Sequence, residues 1–176
     1  ETKNTFETIS KIDDRSRYGK IKKRIKKVDK INKIFVAGHN GLVGSSIIHC
    51  LKSNGYSNII TKDKSELNLI NQKKTRRFFK NEKPDIVICA AAKVGGIYAN
   101  QKYPGQFLYE NLCIQNNIIH SSHEFSVSNL IFLGSACVYP KYADQPIKEK
   151  SLLSGYLETT NEAYAIAKIA GIKLCE

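Results

Sequence analysis

The residues best suited to chemistry in this chain are Tyr164 and Lys168, which are four positions apart. Side chains at this spacing share one face of an α-helix. An ammonium group beside a phenol favours the phenolate and should therefore lower the pKa of Tyr164. A tyrosine tuned in this way serves as a general acid or base near neutral pH. Because the Y-x-x-x-K pattern also occurs on ordinary surface helices, its meaning depends on what precedes it in the chain.

Ser135 and Cys137 are the second candidate pair, and they directly follow a short apolar run at residues 130–133. We predict that this run is a parallel strand, whose C-terminal end is where open α/β sheets bind ligands. There the Ser135 hydroxyl can hydrogen-bond a carbonyl oxygen, although a serine that only closes the turn fits equally well. Cys137 can transfer a proton if its pKa is lowered. The other four cysteines are expected to be inert packing residues.

The elements that must position these residues begin with a strand, a glycine turn and a helix. An apolar run predicts a buried strand at residues 33–37, and helical spacing predicts a helix at residues 42–54. Gly38 permits a sharp turn, Gly41 lets a pyrophosphate approach the backbone, and Gly44 lets the helix pack closely on the strand. The N-terminus of such a helix attracts phosphate through its N–H groups and its dipole. The turn therefore predicts a dinucleotide site.

The type of dinucleotide is predicted from the residues that end the second strand, Thr61–Lys64. Enzymes that bind NAD place an acidic residue here to hydrogen-bond the ribose 2′-hydroxyl. Lys62 and Lys64 instead suit the 2′-phosphate of NADP, whereas Asp63 argues for NAD. We predict NADP, although two lysines in a solvated loop would look the same in the sequence.

Strand-like and helix-like segments alternate along the chain. This order predicts an α/β fold with a doubly wound parallel sheet of the Rossmann type, truncated at the C-terminus. We expect Phe78 and Phe79 to face the core and residues 139–161 to be mostly loop. The predicted strands are residues 33–37, 58–61, 86–90 and 130–133, and the predicted helices are residues 42–54, 71–81, 104–125 and 162–176.

Composition limits the class of protein that this chain can represent. The 176 residues carry a net charge of +12, of which residues 1–30 hold +6. We interpret residues 1–31 as a solvated, partly disordered basic extension and residues 32–176 as one dinucleotide-binding domain. No apolar run approaches the ~20 residues of a membrane span. Scattered cysteines without C-x-x-C pairs predict no metal site, no disulfides and a reducing, cytoplasmic location.

The sequence also suggests a fragment, because it contains no methionine and stops inside a predicted helix. We expect a separate substrate domain to be missing. We also expect four apolar residues of the last helix to lack cover, namely Ile166, Ile169, Ala170 and Leu174.

Six segments together resemble the GDP-L-fucose synthase family of the extended short-chain dehydrogenase/reductases. The segments are VAGHNGLVGS, ELNL, AAAKVGGI, NNIIHSSHEF, FLGSACVYPK and NEAYAIAKIAGIKLCE, and the resemblance spans about residues 33–176. The run AAAKVGG followed by G-S-x-C-x-Y-P is more specific than the general superfamily pattern. Three positions depart from the family pattern. Asn40 stands where the family often has arginine, Ala136 where serine is common, and Ala163 where proline is common. None of these replacements removes a catalytic group.

The resemblance implies a two-stage reaction on GDP-4-keto-6-deoxy-D-mannose. Sugar carbons 3 and 5 are epimerised, and NADPH then reduces the 4-keto group to give GDP-L-fucose. Cys137 would exchange the protons next to the ketone, with a histidine partner expected beyond Glu176. Ser135 would bind the carbonyl oxygen, Tyr164 would donate a proton to it, and Lys168 would hold the nicotinamide ribose. The implied cofactor-binding residues are Gly38, His39, Asn40, Gly41, Leu42, Val43, Gly44, Lys62, Lys64, Leu67, Asn68, Ala90, Ala91, Ala92, Leu133, Gly134 and Lys168.

The expected partners are a GDP-sugar substrate and, in the full-length protein, a second copy bound through the helix that starts at Pro104. Neither a membrane nor a nucleic acid is expected, because the basic extension lacks the interleaved aromatic residues of a nucleic-acid platform. Contact between that extension and nucleic acid or an anionic surface nevertheless stays an alternative.

Two other functions stay open on the sequence alone. A sugar-nucleotide 4-epimerase with tightly held NAD would share the general pattern, but Lys62, Lys64 and Cys137 argue against it. A non-catalytic protein that senses NADP or binds RNA would have no need to keep Ser135, Tyr164 and Lys168 together. RNA contacts of that kind would weaken steeply with salt.

Overall fold

A computed structural model describes residues 28–176 of the chain. The predicted basic extension therefore lies outside the described residues, apart from residues 28–31. Of those, Val28 and Ile31 are exposed and belong to no strand or helix.

Four short parallel strands form one sheet in the order β2–β1–β3–β4. The central strands β1 and β3 are buried at every residue, because helices cover both faces of the sheet. Strands in that position are continuously apolar rather than alternating. The predicted α/β fold with a parallel Rossmann-type sheet is confirmed. The strands are β1 (Ile34–Ala37), β2 (Ile59–Ile60), β3 (Ile86–Cys89) and β4 (Asn129–Phe132).

Five α-helices connect and follow these strands within residues 28–176, and four of them match the predicted helices to within two residues at each end. The helices are α1 (Leu42–Ser53), α2 (Gln72–Glu82), α3 (Ile97–Lys102), α4 (Pro104–Glu124) and α5 (Glu162–Cys175). The sequence did not predict α3, because six residues are too few to show a helical period. The loop predicted at residues 139–161 contains two 3₁₀ turns, Glu149–Ser151 and Thr159–Asn161.

Two apolar layers hold the helices against the sheet. On one face, Phe35 of β1 contacts Phe78 and Phe79 of α2, with ring centroids 4.6 Å and 6.0 Å away. This confirms that both α2 phenylalanines face the core, and full burial of each such side chain stabilises the fold by about 1.5–3 kcal/mol. On the other face, Leu51 of α1 packs with Val36.

Helix α5 packs along α4, which corrects the expectation that its apolar residues lack cover. Ile169 is only 8% exposed, whereas Ile166 and Leu174 are 44% and 47% exposed, as predicted. The sequence could not show this difference, because the covering surface is supplied by α4, far away in the chain. As a result, the helix that carries Tyr164 and Lys168 is held in place by the fold.

Candidate functional site

The candidate site opens where the sheet changes direction. From β1 the chain crosses to β2 at one edge, whereas β3 lies on the other side of β1. The loops that leave β1 and β3 therefore diverge and create a crevice at the carboxyl ends of the strands. This crevice holds a cavity of about 450 Å³.

The glycine turn after β1 forms the first wall of the cavity, and its geometry requires glycine at two positions. Gly38 has a φ of +82°, and a Cβ there would lie 2.7 Å from the backbone of Ala91. A Cβ on Gly44 would overlap the carbonyl oxygen of Gly38. A Cβ on Gly41 would make only an ordinary contact of 3.4 Å with that oxygen. The sharp turn at Gly38 and the close packing at Gly44 therefore agree with the prediction.

The N-terminus of α1 faces the same cavity, since Leu42, Val43 and Gly44 all line it. No side chain caps this helix end, and its first turn contains no acidic residue. The partial positive charge of the helix is thus not compensated by a neighbouring side chain, which suits an anionic phosphate.

The second wall is the loop after β2, whose two lysines differ in their ionic contacts. The Lys62 ammonium pairs with Glu66 at 3.0 Å. A hydrogen bond from the Asp63 backbone N–H and, next, this contact with Lys62 lower the pKa of Glu66. Lys64 also lines the cavity, but its ammonium makes no hydrogen bond or ion pair with any residue in 28–176.

Asp63 is turned towards the glycine turn. Its carboxylate accepts a hydrogen bond of 2.5 Å from Asn40 Nδ2 and lies 3.4 Å from His39 Nε2. An acidic residue that recognises the ribose of NAD would need these oxygens for the 2′-hydroxyl. In this structure Asp63 links the two loops instead.

The third wall is the loop after β3, which is held by one buried amide. Asn111 of α4 accepts a hydrogen bond of 2.8 Å from the Lys93 backbone N–H and donates one of 3.0 Å to the Lys93 carbonyl oxygen. It also donates to the carbonyl oxygen of Phe107. The Lys93 ammonium lies 3.5 Å from Glu110. These contacts position the loop against the cavity.

The candidate catalytic residues meet at the end of β4. Ser135 caps the 3₁₀ turn Ala136–Val138, Cys137 lies within it, and their side chains share a hydrogen bond of 3.1 Å. Helix α5 packs against this turn. Lys168 is 4% exposed and donates a hydrogen bond of 2.9 Å to the Leu133 carbonyl oxygen. Its ammonium lies 5.9 Å from the ring centroid of Tyr164.

The pKa of Tyr164 is shifted in the direction opposite to the one predicted from the sequence. Burial raises the pKa of its phenol, and the nearby Cys137 raises it further. The predicted lowering by Lys168 is therefore wrong for this structure, because the ammonium is directed to a carbonyl oxygen rather than to the phenol oxygen. Burial also lowers the pKa of Lys168. The phenol is thus neutral at physiological pH and suited to donating a proton.

Most of the predicted cofactor-binding residues come together around the cavity. Those that line it are Gly38, Gly41, Leu42, Val43, Gly44, Lys62, Lys64, Leu67, Asn68, Ala90, Ala91 and Ala92. His39 and Asn40 instead line a second, smaller pocket together with residues of α1 and the end of β2. Leu133, Gly134 and Lys168 are not among the lining residues and belong to the β4 end with the catalytic cluster.

Sequence reasoning missed six residues of the cavity wall: Leu69, Ile70, Lys93, Val94, Glu110 and Ile114. Leu69, Lys93 and Val94 lie within the ELNL and AAAKVGG segments, and Ile70 directly follows the first of these, so the segments themselves could have indicated them. Glu110 and Ile114 are one turn apart on α4, and only the packing of that helix shows that they reach the site.

Among residues 28–176, no group of three or more His, Cys, Asp and Glu side chains could hold a metal ion. None of the helices in the same range is sufficiently long and apolar to traverse a bilayer.

Comparison with known proteins places this site in a wider context. Residues 34–176 match the sequence profile of the NAD dependent epimerase/dehydratase family. The GDP-L-fucose synthase 1 of Arabidopsis thaliana is 57% identical over 148 residues, which are 84% of this chain and 46% of the relative. The GDP-L-fucose synthase of Escherichia coli K12 is 53% identical over 82% of this chain and 45% of its own length. The chain thus spans about half the length of the curated relatives it matches.

A solved structure extends the similarity to the fold. MlghC, a GDP-mannoheptose C4 reductase from Campylobacter jejuni with NADP bound, superposes with a TM-score of 0.83 at 41% identity. The match covers 85% of this chain and 48% of MlghC.

Proposed function

The chain belongs to the NAD dependent epimerase/dehydratase family, and from that premise we propose that it is the cofactor-binding part of a GDP-L-fucose synthase. The substrate is GDP-4-keto-6-deoxy-D-mannose. The enzyme epimerises sugar carbons 3 and 5 and then reduces the 4-keto group with NADPH. The observation that carries this proposal is the hydrogen-bonded pair Ser135 and Cys137 beside Tyr164 and Lys168.

The residues around the cavity fit a dinucleotide. Glycine at positions 38 and 44 gives the tight turn and the close packing of α1, and the absence of a Cβ at Gly41 lets a pyrophosphate approach the backbone. The uncapped start of α1 supplies a positive helix end. Leu67 and Ile70 add apolar surface to the cavity wall, which suits an adenine ring.

The charged residues of the loop after β2 favour binding of NADP over NAD. Lys64 lines the cavity without an ion pair to any residue in 28–176, and Lys62 adds local positive charge while paired with Glu66. Asp63 directs one carboxylate oxygen, Oδ1, to Asn40 and His39 of the glycine turn, so it is partly engaged away from a 2′-hydroxyl. The solved C. jejuni reductase that resembles this chain has NADP bound.

The epimerisation step needs one group that removes the proton next to the ketone and a second group that returns a proton to the opposite face. We assign one of these two roles to Cys137, because its thiol already contacts the Ser135 hydroxyl, which would bind the ketone oxygen. Hydrogen bonds to that oxygen stabilise the negative charge that develops when the adjacent proton leaves. The ketone thereby makes the proton acidic enough for a thiolate to accept it.

The reduction step needs a proton for the same oxygen. Bound NADPH would supply the hydride that reaches the carbonyl carbon. Tyr164 donates the proton, since burial raises the pKa of its phenol and keeps it in the acid form. Lys168 holds the nicotinamide ribose and stabilises the phenolate that remains.

A second candidate is reduction of carbon 4 alone on another GDP-sugar. The similarity to MlghC, named as a GDP-mannoheptose C4 reductase, favours it. The two functions differ at one point, namely whether protons at carbons 3 and 5 exchange with solvent.

The test is turnover of GDP-4-keto-6-deoxy-D-mannose by the complete protein in deuterated water with NADPH. We expect NADPH oxidation and a reduced product with deuterium at both carbon 3 and carbon 5. Oxidation without deuterium at these carbons would establish the C4 reductase instead. Interconversion of GDP-sugars with NAD, without net NADPH consumption, would establish the 4-epimerase, and RNA binding that survives physiological salt without turnover would favour the non-catalytic alternative.

We further propose that residues 32–176 form the NADP-binding domain and that the complete protein is a cytoplasmic homodimer that does not bind nucleic acid. The dimer would use α4 and α5, where Tyr109, Ile166 and Leu174 are exposed. The five cysteines within residues 28–176 form no disulfide with one another, which supports the proposal of a reducing compartment. Light scattering of the complete protein tests the dimer, and cell fractionation tests the location.

A further inference from the structure

We propose that Phe132, the last residue of β4, positions and stabilises the ammonium group of Lys168 through the face of its ring. The proposal rests on the function assigned to Lys168 above, but its central measurement does not require turnover. Phe132 would act through Lys168 and would not itself touch the substrate.

Lys168 carries an ammonium group in a buried environment. Its side chain is 4% exposed, and no carboxylate within residues 28–176 forms an ion pair with it. A buried charge without a partner is unfavourable, so other groups must compensate for the lost water. Two contacts are available, namely the Leu133 carbonyl oxygen at 2.9 Å and the Phe132 ring, whose centroid lies 4.6 Å from Nζ.

Both contacts come from the end of one strand. A cation within about 6 Å of a ring centroid is attracted by the negative face of the aromatic ring, and the attraction grows when both groups are shielded from water. Phe132 therefore fixes the ammonium from one side while Leu133 accepts its hydrogen bond. The Tyr164 ring at 5.9 Å is the more distant aromatic neighbour.

Gly171 fixes the position of the Phe132 ring. A Cβ on Gly171 would lie 2.5 Å from Cζ and 2.8 Å from Cε1 of that ring. The ring edge thus rests directly on the backbone of α5, three residues after Lys168 on the same helix face. The same absent Cβ would lie 2.9 Å from Gln115 Cδ, and Gln115 donates a hydrogen bond of 2.5 Å to the Ala167 carbonyl oxygen.

These contacts form a continuous support for Lys168. Gln115 ties α4 to the residue before Lys168, Gly171 admits the Phe132 ring, and the ring faces the ammonium. The other titratable groups near the ammonium are Cys89 of β3, Cys137 after β4 and Tyr164 of α5. None of these is a carboxylate, so the ring is the strongest candidate for compensating the buried charge besides the carbonyl oxygen.

The experiment measures the pKa of Lys168 directly, by ¹³C NMR of the lysine ε-carbon in the complete protein without cofactor. The resonance is assigned by its loss in Lys168→Arg. One variant carries 2,6-difluorophenylalanine at position 132, which weakens the negative ring face and adds no atom at Cζ or Cε1. We expect the pKa of Lys168 to fall by about half to one pH unit. Phe132→Leu should lower it at least as far.

The matched control is the same fluorinated residue at Phe79, a buried ring that packs on Phe35 and Phe78 with no cation nearby. It should leave the pKa of Lys168 unchanged. An unchanged pKa in the position-132 variants, with melting temperature and circular dichroism preserved, would show that Phe132 only fills space. The fluorinated variant keeps the ring shape, so this conclusion does not depend on whether Phe132→Leu folds well.

Gly171→Ala tests the same contact from the other side, because the added methyl would overlap the Phe132 ring, so the ring and α5, which carries Lys168, must move apart. We expect a similar fall in the pKa, and no further fall when Gly171→Ala is combined with Phe132→Leu, since both remove one interaction. Gly105→Ala is the control, because a Cβ there meets no heavy atom within 4 Å. Additive shifts in the double variant would overturn the proposal.

Turnover gives the final readout. If the ring positions Lys168, the fluorinated Phe132 variant should lower kcat about 3- to 10-fold in keto reduction. In the pH–rate profile, the pH at which the rate falls as Lys168 loses its proton should shift by the same amount as the pKa measured by NMR. An unchanged kcat together with a lowered pKa would refute the positioning role. Absence of any turnover in the wild-type protein would instead refute the proposed function, while the NMR result would still stand.

Discussion

The Cys137 thiol donates a hydrogen bond of 3.1 Å to the Ser135 hydroxyl oxygen at the carboxyl end of β4. While Cys137 is in its thiol form, the hydroxyl accepts this bond and its own hydrogen can point towards a ligand oxygen. The extended backbone at Ser135 and the 3₁₀ turn that follows bring the two side chains to the same side of the loop. This relationship connects the proton-exchanging group to the group that would bind the ketone.

Replacing Cys137 by Ser should abolish epimerisation and leave reduction possible. A serine hydroxyl has a much higher pKa than a thiol and cannot accept the proton near neutral pH. We expect solvent deuterium exchange at carbons 3 and 5 to fall about 10²-fold or more, as followed by mass spectrometry. Cys50→Ser, at an exposed position on α1, is the control. Wild-type exchange in Cys137→Ser would mean that this thiol is only a packing residue.

Tyr164→Phe should remove the proton donor for reduction without disturbing the cofactor site. We expect kcat for keto reduction to fall about 10²- to 10⁴-fold, with the Kd for NADPH nearly unchanged. Because burial raises the pKa of this phenol, the acid form should persist, and the reduction rate should not decline until about pH 10 or above. Stopped-flow rates across pH check both points. Full turnover in Tyr164→Phe would contradict the assignment.

The two lysines of the β2 loop should contribute unequally to cofactor choice. Lys64→Glu places a negative charge in the cavity wall and should weaken NADPH binding about 10-fold or more while leaving NADH nearly unaffected. Lys62→Glu should have the smaller effect, because Lys62 is already paired with Glu66. Fluorescence titration with both cofactors measures this difference. Equal losses for NADPH and NADH would show that the loop lies near the site without contacting the 2′-phosphate.

Gly44→Ala should destabilise the glycine turn. The new methyl would overlap the Gly38 carbonyl oxygen, so either the turn or α1 must move. We expect a loss of about 1–3 kcal/mol in the free energy of unfolding, together with weaker NADPH binding. Gly96→Ala is the control, since no heavy atom lies within 4 Å of a Cβ at that position. Denaturant unfolding curves compare the two variants, and equal stability would contradict the close packing described here.

Cys89 should be the least reactive thiol of the chain. Burial raises its pKa to about 11, so only about one thiolate in a thousand is present near pH 8. Raising the pH towards that pKa should increase its labelling, whereas Cys50 and Cys175 are exposed and should react readily at about pH 8. Mass spectrometry after timed alkylation gives the order of reaction. Early labelling of Cys89 would show that the end of β3 opens more easily than its burial suggests.

Much of this protein could be predicted from local sequence. The apolar runs that became β1 and β3, the glycines at positions 38 and 44, and the four-residue spacing of Tyr164 and Lys168 each reflect a constraint that acts within a few residues. A strand buried on both faces must be apolar throughout, and a turn without room for a Cβ must contain glycine. For that reason the α/β fold and the glycines of the turn were predicted from local sequence, whereas most of the other cavity-lining residues were predicted from the resemblance to the GDP-L-fucose synthase family.

Only the tertiary structure decided the relationships between distant elements. The burial of Ile169 against α4, the engagement of Asp63 by Asn40 and the contact of Phe132 with Lys168 each join residues that are far apart in the chain or on different elements. The pKa of Tyr164 shows the physical reason most clearly. Its sequence neighbour Lys168 predicted a lowered pKa, but desolvation by the surrounding fold raises it, and desolvation depends on which atoms exclude water rather than on spacing along a helix.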